Sequence, residues 1–155
     1  MKVRHLMRAE PRTCGPNDDL ATAGRIMAEV GCGFLPVLDD NDDIVGVLTD
    51  RDVCCGVSVR DVNPSSLEVR EMMTRGVHTV LEDDEMTQAL RAMRRGRVRR
   101  LPVVNTKGEL LGILSLDDIV LAARTSPEEN YGAPDYEEIG RTLQAINEQP
   151  KLAVI

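Results

Sequence analysis

The chain says one thing twice. Leu35-Pro36-Val37 returns as Leu101-Pro102-Val103, and positions 35 and 101 lie 66 apart. The same offset carries Val3-Arg4 onto Val69-Arg70, Met7 onto Met73 and Thr13 onto Thr79. It carries Asp18 onto Asp84, Ala23 onto Ala89, Met27 onto Met93 and Gly46 onto Gly112. Thr49 falls on Ser115 and Asp52 on Asp118, with no gap anywhere. Chance does not produce such a register. The chain is two copies of one supersecondary unit followed by a tail.

Each copy reads as β-α-β-β-α, so the fold class is α+β (α/β), with tandem repeats. A short opening segment holds Val3 and Met7, or Val69 and Met73. An extended piece follows near Thr13, or at His78-Thr79-Val80-Leu81. Asp18 and Asp84 are suited to cap the next helix. In copy one that helix puts Leu20, Ala23, Met27 and Val30 on one face; copy two puts Met86, Ala89 and Met93 there. This is amphipathic helical spacing. A strand follows at 34–38 or 101–104, then a polar turn, then a second strand at 44–48 or 110–114. Gly46 and Gly112 interrupt those second strands, where a missing side chain lets a backbone or a ligand approach. The expected divisions are repeat one at 1–62, a linker at 63–68, repeat two at 69–124 and a tail at 125–155. Thr125-Ser126-Pro127 ends the second repeat. The tail predicts a helix with Tyr136, Ile139, Leu143 and Ile146 on one stripe, ended by Pro150.

The sharpest local signal is the corner Gly46-Val47-Leu48-Thr49-Asp50-Arg51-Asp52, repeated as Gly112-Ile113-Leu114-Ser115-Leu116-Asp117-Asp118. A buried strand runs straight into a helix. Thr49 and Asp52, or Ser115 and Asp118, have the spacing of a capping box. A helix N-terminus also presents unpaired N–H groups and partial positive charge, which suit an anion. Read alone, each corner is only a cap worth about 1 kcal/mol.

Composition narrows the function. Aromatic content is 2% with no Trp, so nucleic-acid modules that stack bases on aromatic platforms are not expected. Net charge of −7 opposes binding to nucleic-acid backbones. No apolar run has membrane-spanning length, and the first residues lack a signal-peptide core, so a cytoplasmic setting is expected. Cys14, Cys32, Cys54 and Cys55 show no Cys-x-x-Cys, and His5 and His78 are the only histidines. Neither a metal site nor a nucleophile-base-acid set follows, so no enzyme is expected. The cysteines read as free thiols. The acidic run 39–43 reads as a hairpin turn, since it lacks the loop length of a calcium site.

The doubled β-α-β-β-α unit, with its Leu-Pro-Val and its Gly-apolar-apolar-Thr/Ser-x-x-Asp, resembles the cystathionine-β-synthase (CBS) domain family. The pair resembles one Bateman module, as in stand-alone bacterial CBS-domain proteins. The resemblance implies pseudo-twofold symmetry and a regulatory role. The module would bind AMP, ADP, ATP or S-adenosylmethionine in clefts between the repeats, as an energy or metabolite sensor, with no obligatory cofactor. In the family the Thr/Ser holds phosphate or ribose and the Asp takes the ribose hydroxyls, and each corner works with a strand of the other copy. That implies one set of Thr49, Arg51 and Asp52 with Val98, Arg99 and Arg100. The second set would be Ser115 and Asp118, beside Asp117, with Cys32, Gly33 and Phe34. The first set is the basic one; the second has no arginine at matching positions. The family's modules pack helix faces into homodimers, and here Val53, Val57, Ile119 and Leu121 would be partly uncovered. A downstream protein partner is implied too. The competing reading is a ligand-free dimerisation or protein-interaction module, with Cys54-Cys55 as a redox-responsive element.

Overall fold

Two β-hairpins, each leading straight into a helix, anchor the doubled pattern in the computed structural model, which describes residues 1–123 and 134–148. β1 is Arg8–Ala9, α1 Leu20–Val30, β2 Phe34–Leu38, β3 Ile44–Thr49, α2 Asp50–Arg60 and α3 Val69–Met72. β4 is Val80–Leu81, α4 Met86–Gly96, β5 Arg100–Val104, β6 Leu110–Ser115, α5 Leu116–Ala123 and α6 Tyr136–Asn147. They form two bodies. A first-copy body gathers Glu10–Val77 with Gly108–Leu110. A second-copy body gathers Met1–Ala9, His78–Lys107 and the described part of Leu111–Ile155.

The opening segments have therefore changed places. Val3 N–H donates to Asp84 O at 3.0 Å, Met86 N–H to Met1 O at 2.9 Å, and β1 pairs antiparallel with β6. In the other body Leu20 N–H donates to Leu67 O at 2.9 Å and Val69 N–H to Asp18 O at 2.8 Å. The second-copy sheet runs β1-β6-β5-β4, with β4 and β5 parallel. The first-copy body repeats that order with isolated bridges at its edges: Thr74 on Val47 beside β3, and Cys14 on Val37 beside β2.

Helix starts lie one residue beyond the expected caps. Asp19, with extended φ −82° and ψ 158°, caps α1 by accepting from Thr22 N–H at 2.7 Å. That backbone bond also holds its carboxyl below the ordinary range. Asp18 instead accepts from Gly15 N–H at 2.7 Å and closes the preceding turn. Copy two repeats the division of labour. Glu85 is the cap of α4, while Asp84 accepts from Leu81 N–H at 3.0 Å. Two adjacent acids stand at each helix start, and the second of each pair, with extended backbone, is the cap.

Each body has its own core. Leu20, Ala23, Met27, Leu35, Val37, Leu48 and Val69 fill one; Met86, Leu90, Met93, Leu101, Val103, Leu114, Ile119 and Ile139 fill the other. Val30 does not join the α1 face. It lies in the last turn, beside the left-handed Gly31 that ends the helix, and is exposed. Ile119, expected to be partly uncovered, is fully buried. The tail helix is part of the second-copy body. Ile139 is buried and Leu143 and Ile146 pack on the same core, but Tyr136, in the first turn of α6, is exposed. Arg94 Nη1 on α4 donates to Thr142 Oγ1 on α6 at 2.9 Å. Thr125-Ser126-Pro127 and Pro150 lie outside the described residues.

All four cysteines are free thiols. Cys14 is buried, and burial pushes its thiol up to about 12, so it stays protonated and inert at neutral pH. Cys54 and Cys55 are exposed on α2.

Candidate functional site

The first-copy corner forms where β3 enters α2. Thr49 is extended, with φ −112° and ψ 160°, and its Oγ1 accepts from Asp52 N–H at 3.2 Å. In return Asp52 Oδ2 accepts from Thr49 N–H at 2.8 Å and from Thr49 Oγ1 at 2.7 Å. Every capping bond falls on Oδ2, which leaves Oδ1 outside the cap. Phe34 lies opposite Thr49 in the strand register and is buried. Asp50 N–H donates to Gly33 O at 3.2 Å. A Cβ on Gly33 would sit 2.6 Å from Asp50 Oδ2, so a side chain there would have to turn that exposed carboxylate aside. Cys32 Sγ donates to Phe34 O at 3.4 Å. Arg51 is exposed in the first turn of α2.

The second corner, where β6 enters α5, has the same cap. Asp118 Oδ2 accepts from Ser115 N–H at 3.2 Å and from Ser115 Oγ, and Ser115 Oγ accepts from Asp118 N–H at 3.1 Å. Asp118 Oδ1 has a different fate. It accepts from Arg8 Nε at 3.0 Å and Arg8 Nη2 at 2.9 Å. The Arg8 side chain is 75% exposed and that of Asp118 only 12%. Arg8 reaches this place from β1, where it lies opposite Ile113. Asp117 points to solvent.

Within each body the corner meets the strand start of its own copy. Cys32, Gly33 and Phe34 adjoin Thr49 in the first-copy body. In the second, Arg99 O accepts from Leu116 N–H at 2.9 Å, and Arg100 opens β5, hydrogen-bonded neighbour of β6. Val98 packs on that body's core. Arg99 Nη2 donates to Asn147 Oδ1 on α6 at 2.9 Å, so its guanidinium is engaged by an element outside the repeats.

Sequence reasoning missed Arg8, and with it an arginine at the second corner. The offset of 66 sets Arg8 against Thr74, but positions 9–12 also differ from 75–78, so the repeat does not single Arg8 out. Its target was not legible, because Asp118 lies 110 residues along the chain. Among the described residues no group of three His, Cys, Asp or Glu is placed to hold a metal ion. No helix among them is long and apolar enough to cross a membrane.

The CBS domain family model matches residues 3–56 and again 69–124. An uncharacterised 17.7 kDa protein of Acidianus ambivalens is 33% identical over 139 residues, 90% of this chain and 83% of that protein. A crystal structure of Hypoxic Response Protein I with two coordinated zinc ions superposes with a TM-score of 0.71 at 28% identity, covering 82% of this chain and all of that one. The crystal structure of CBSX2 in complex with AMP superposes with a TM-score of 0.66 at 28% identity, covering 79% of this chain and 95% of that one. With two family matches in register with its internal repeat, and a fold shared with solved members, this chain belongs to the CBS-domain family.

Proposed function

We propose that the chain is a non-enzymatic regulatory module that binds an adenine nucleotide at the Thr49–Asp52 corner. One observation carries the reading. Asp52 uses Oδ2 for its cap and keeps Oδ1 outside it, at the N-terminus of a helix. A carboxylate so placed can accept from ribose hydroxyls, and the helix end favours a nearby phosphate. Arg51, exposed on the first turn, is the residue of that corner suited to meet phosphate. The AMP bound in the CBSX2 structure supports the same ligand class.

Calorimetry with AMP tests the reading, beside ADP, ATP and S-adenosylmethionine. A hydrogen bond to a charged group contributes about 1.5–3 kcal/mol, so Asp52→Ala should weaken AMP binding by roughly 10- to 100-fold. The substitution also removes a cap, so Asp52→Asn, which keeps an acceptor for Thr49, runs beside it with melting curves for both. Unchanged AMP affinity in Asp52→Ala, or no shift of the wild-type melting point with any of these ligands, overturns the reading.

The proposal includes a homodimer. Val59 on α2 and Leu121 on α5 are 84% and 58% exposed, apolar surface that a partner copy would cover. Light scattering should give the mass of two chains. A one-chain mass at micromolar concentration removes the dimer and leaves the nucleotide reading standing.

A further inference from the structure

Position 8 is one place where the copies differ, arginine in one and threonine in the other. At the equivalent place in the first-copy body Thr74 pairs its backbone with Val47, N–H to O at 2.9 Å and O from N–H at 3.0 Å. Arg8 occupies the same edge of the second-copy sheet, through Ile113. Its side chain, unlike a threonine's, is long enough to reach the helix N-terminus. Two N–H groups of one guanidinium converge on Asp118 Oδ1, at 3.0 and 2.9 Å. That is the oxygen which, at Asp52, the cap leaves over. Oδ2 is already taken by Ser115 N–H and Oγ. Both oxygens of Asp118 are therefore in use within the body. The backbone that delivers Arg8 is held close by Gly112, where a Cβ would stand 2.7 Å from Arg8 O.

We propose that Arg8 is a built-in competitor for the ribose acceptor of the second corner. It makes the Ser115–Asp118 corner the weaker of the two for a nucleoside. The proposal rests on the reading above, that the corner carboxylate takes ribose hydroxyls. A diol brings neutral donors, and to bind Asp118 Oδ1 it must displace a charged fork whose bonds to a carboxylate are the stronger kind. Exposure of Arg8 to water moderates the difference, which sets the expected effect at about tenfold.

The test uses adenosine, which has the diol but no phosphate for Arg8 to attract, and the full chain throughout. Asp52→Ala silences the first corner. Adding Arg8→Thr, the residue found at position 74, should tighten adenosine binding to that background by about tenfold. Adding Asp118→Ala to the pair should erase the gain. Melting curves verify that each variant is folded, as expected for an exposed side chain on an edge strand. No gain from Arg8→Thr, or a gain that survives Asp118→Ala, overturns the proposal. Should Asp52→Ala leave wild-type adenosine binding untouched while the Arg8→Thr gain and its loss are both seen, the first-corner assignment fails and the role of Arg8 stands. Absence of adenosine binding from every variant overturns both.

Discussion

Truncating Ile139 to alanine should destabilise the protein by about 2–5 kcal/mol, the cost of emptying a filled core position. Ile139 is 3% exposed and belongs to the same cluster as Leu90, Met93 and Leu114. One turn away, Tyr136 is 61% exposed, and Tyr136→Ala should change stability by no more than about 0.5 kcal/mol. Urea titrations of the two variants decide the matter through their midpoints. The contrast separates a tail that completes the second-copy body from one that merely rests on it. Equal midpoints would show that α6 contributes little to the fold, in spite of its fully buried Thr142.

Gly112→Ala should also be costly, by about 1–3 kcal/mol, through overpacking. The new Cβ would lie 2.7 Å from Arg8 O and 3.1 Å from Met7 Sδ. A methionine sulfur can swing aside. The carbonyl belongs to the backbone of β1, which cannot retreat without loosening its pairing with β6. Gly24→Ala is the control. Beyond its chain neighbours and the backbone of its own helix, nothing lies within 4 Å of a Cβ there, and the site is inside α1. Alanine in a helix interior is favoured over glycine by about 0.5–1 kcal/mol, so this variant should be slightly more stable than wild type. Thermal melts of the two variants moving the same way would refute the steric account of Gly112.

Most of the fold was legible because two copies had to agree. Leu-Pro-Val marks the start of a buried strand, and both instances are buried strands. Thr49 with Asp52, and Ser115 with Asp118, make the reciprocal caps that their spacing demands. Strand glycines at 46 and 112 admit backbone: Thr74 O would lie 3.0 Å from a Cβ on Gly46, and Arg8 O 2.7 Å from one on Gly112. What escaped has the same root. Because the opening segments resemble each other, nothing in the residues says which body takes which. Val3 and Val69 are equally apolar and both are fully buried, each among the elements of the other copy. The cap error was one of register. Adjacent acids, Asp18-Asp19 and Asp84-Glu85, offer equivalent chemistry, and in each pair the first closes the preceding turn while the second caps the helix. The Arg8–Asp118 pair was out of reach for a different reason, since spacing rules describe neighbours along a chain and this pair is made by the exchange.

That exchange also constrains how the chain is made. A ribosome delivers Met1–Ala9 about a hundred residues before β6, with which β1 pairs. Glu10–Val77 meanwhile contains nearly everything its own body needs, and can close while Met1–Ala9 is still unpaired. Joining Arg8 to Ile113 then closes a loop whose entropy cost, by the length term alone, is about 4 kcal/mol. The order of synthesis thus favours early closure of the first-copy body, whereas the second-copy body must wait for β6 before Met1–Ala9 can join its sheet.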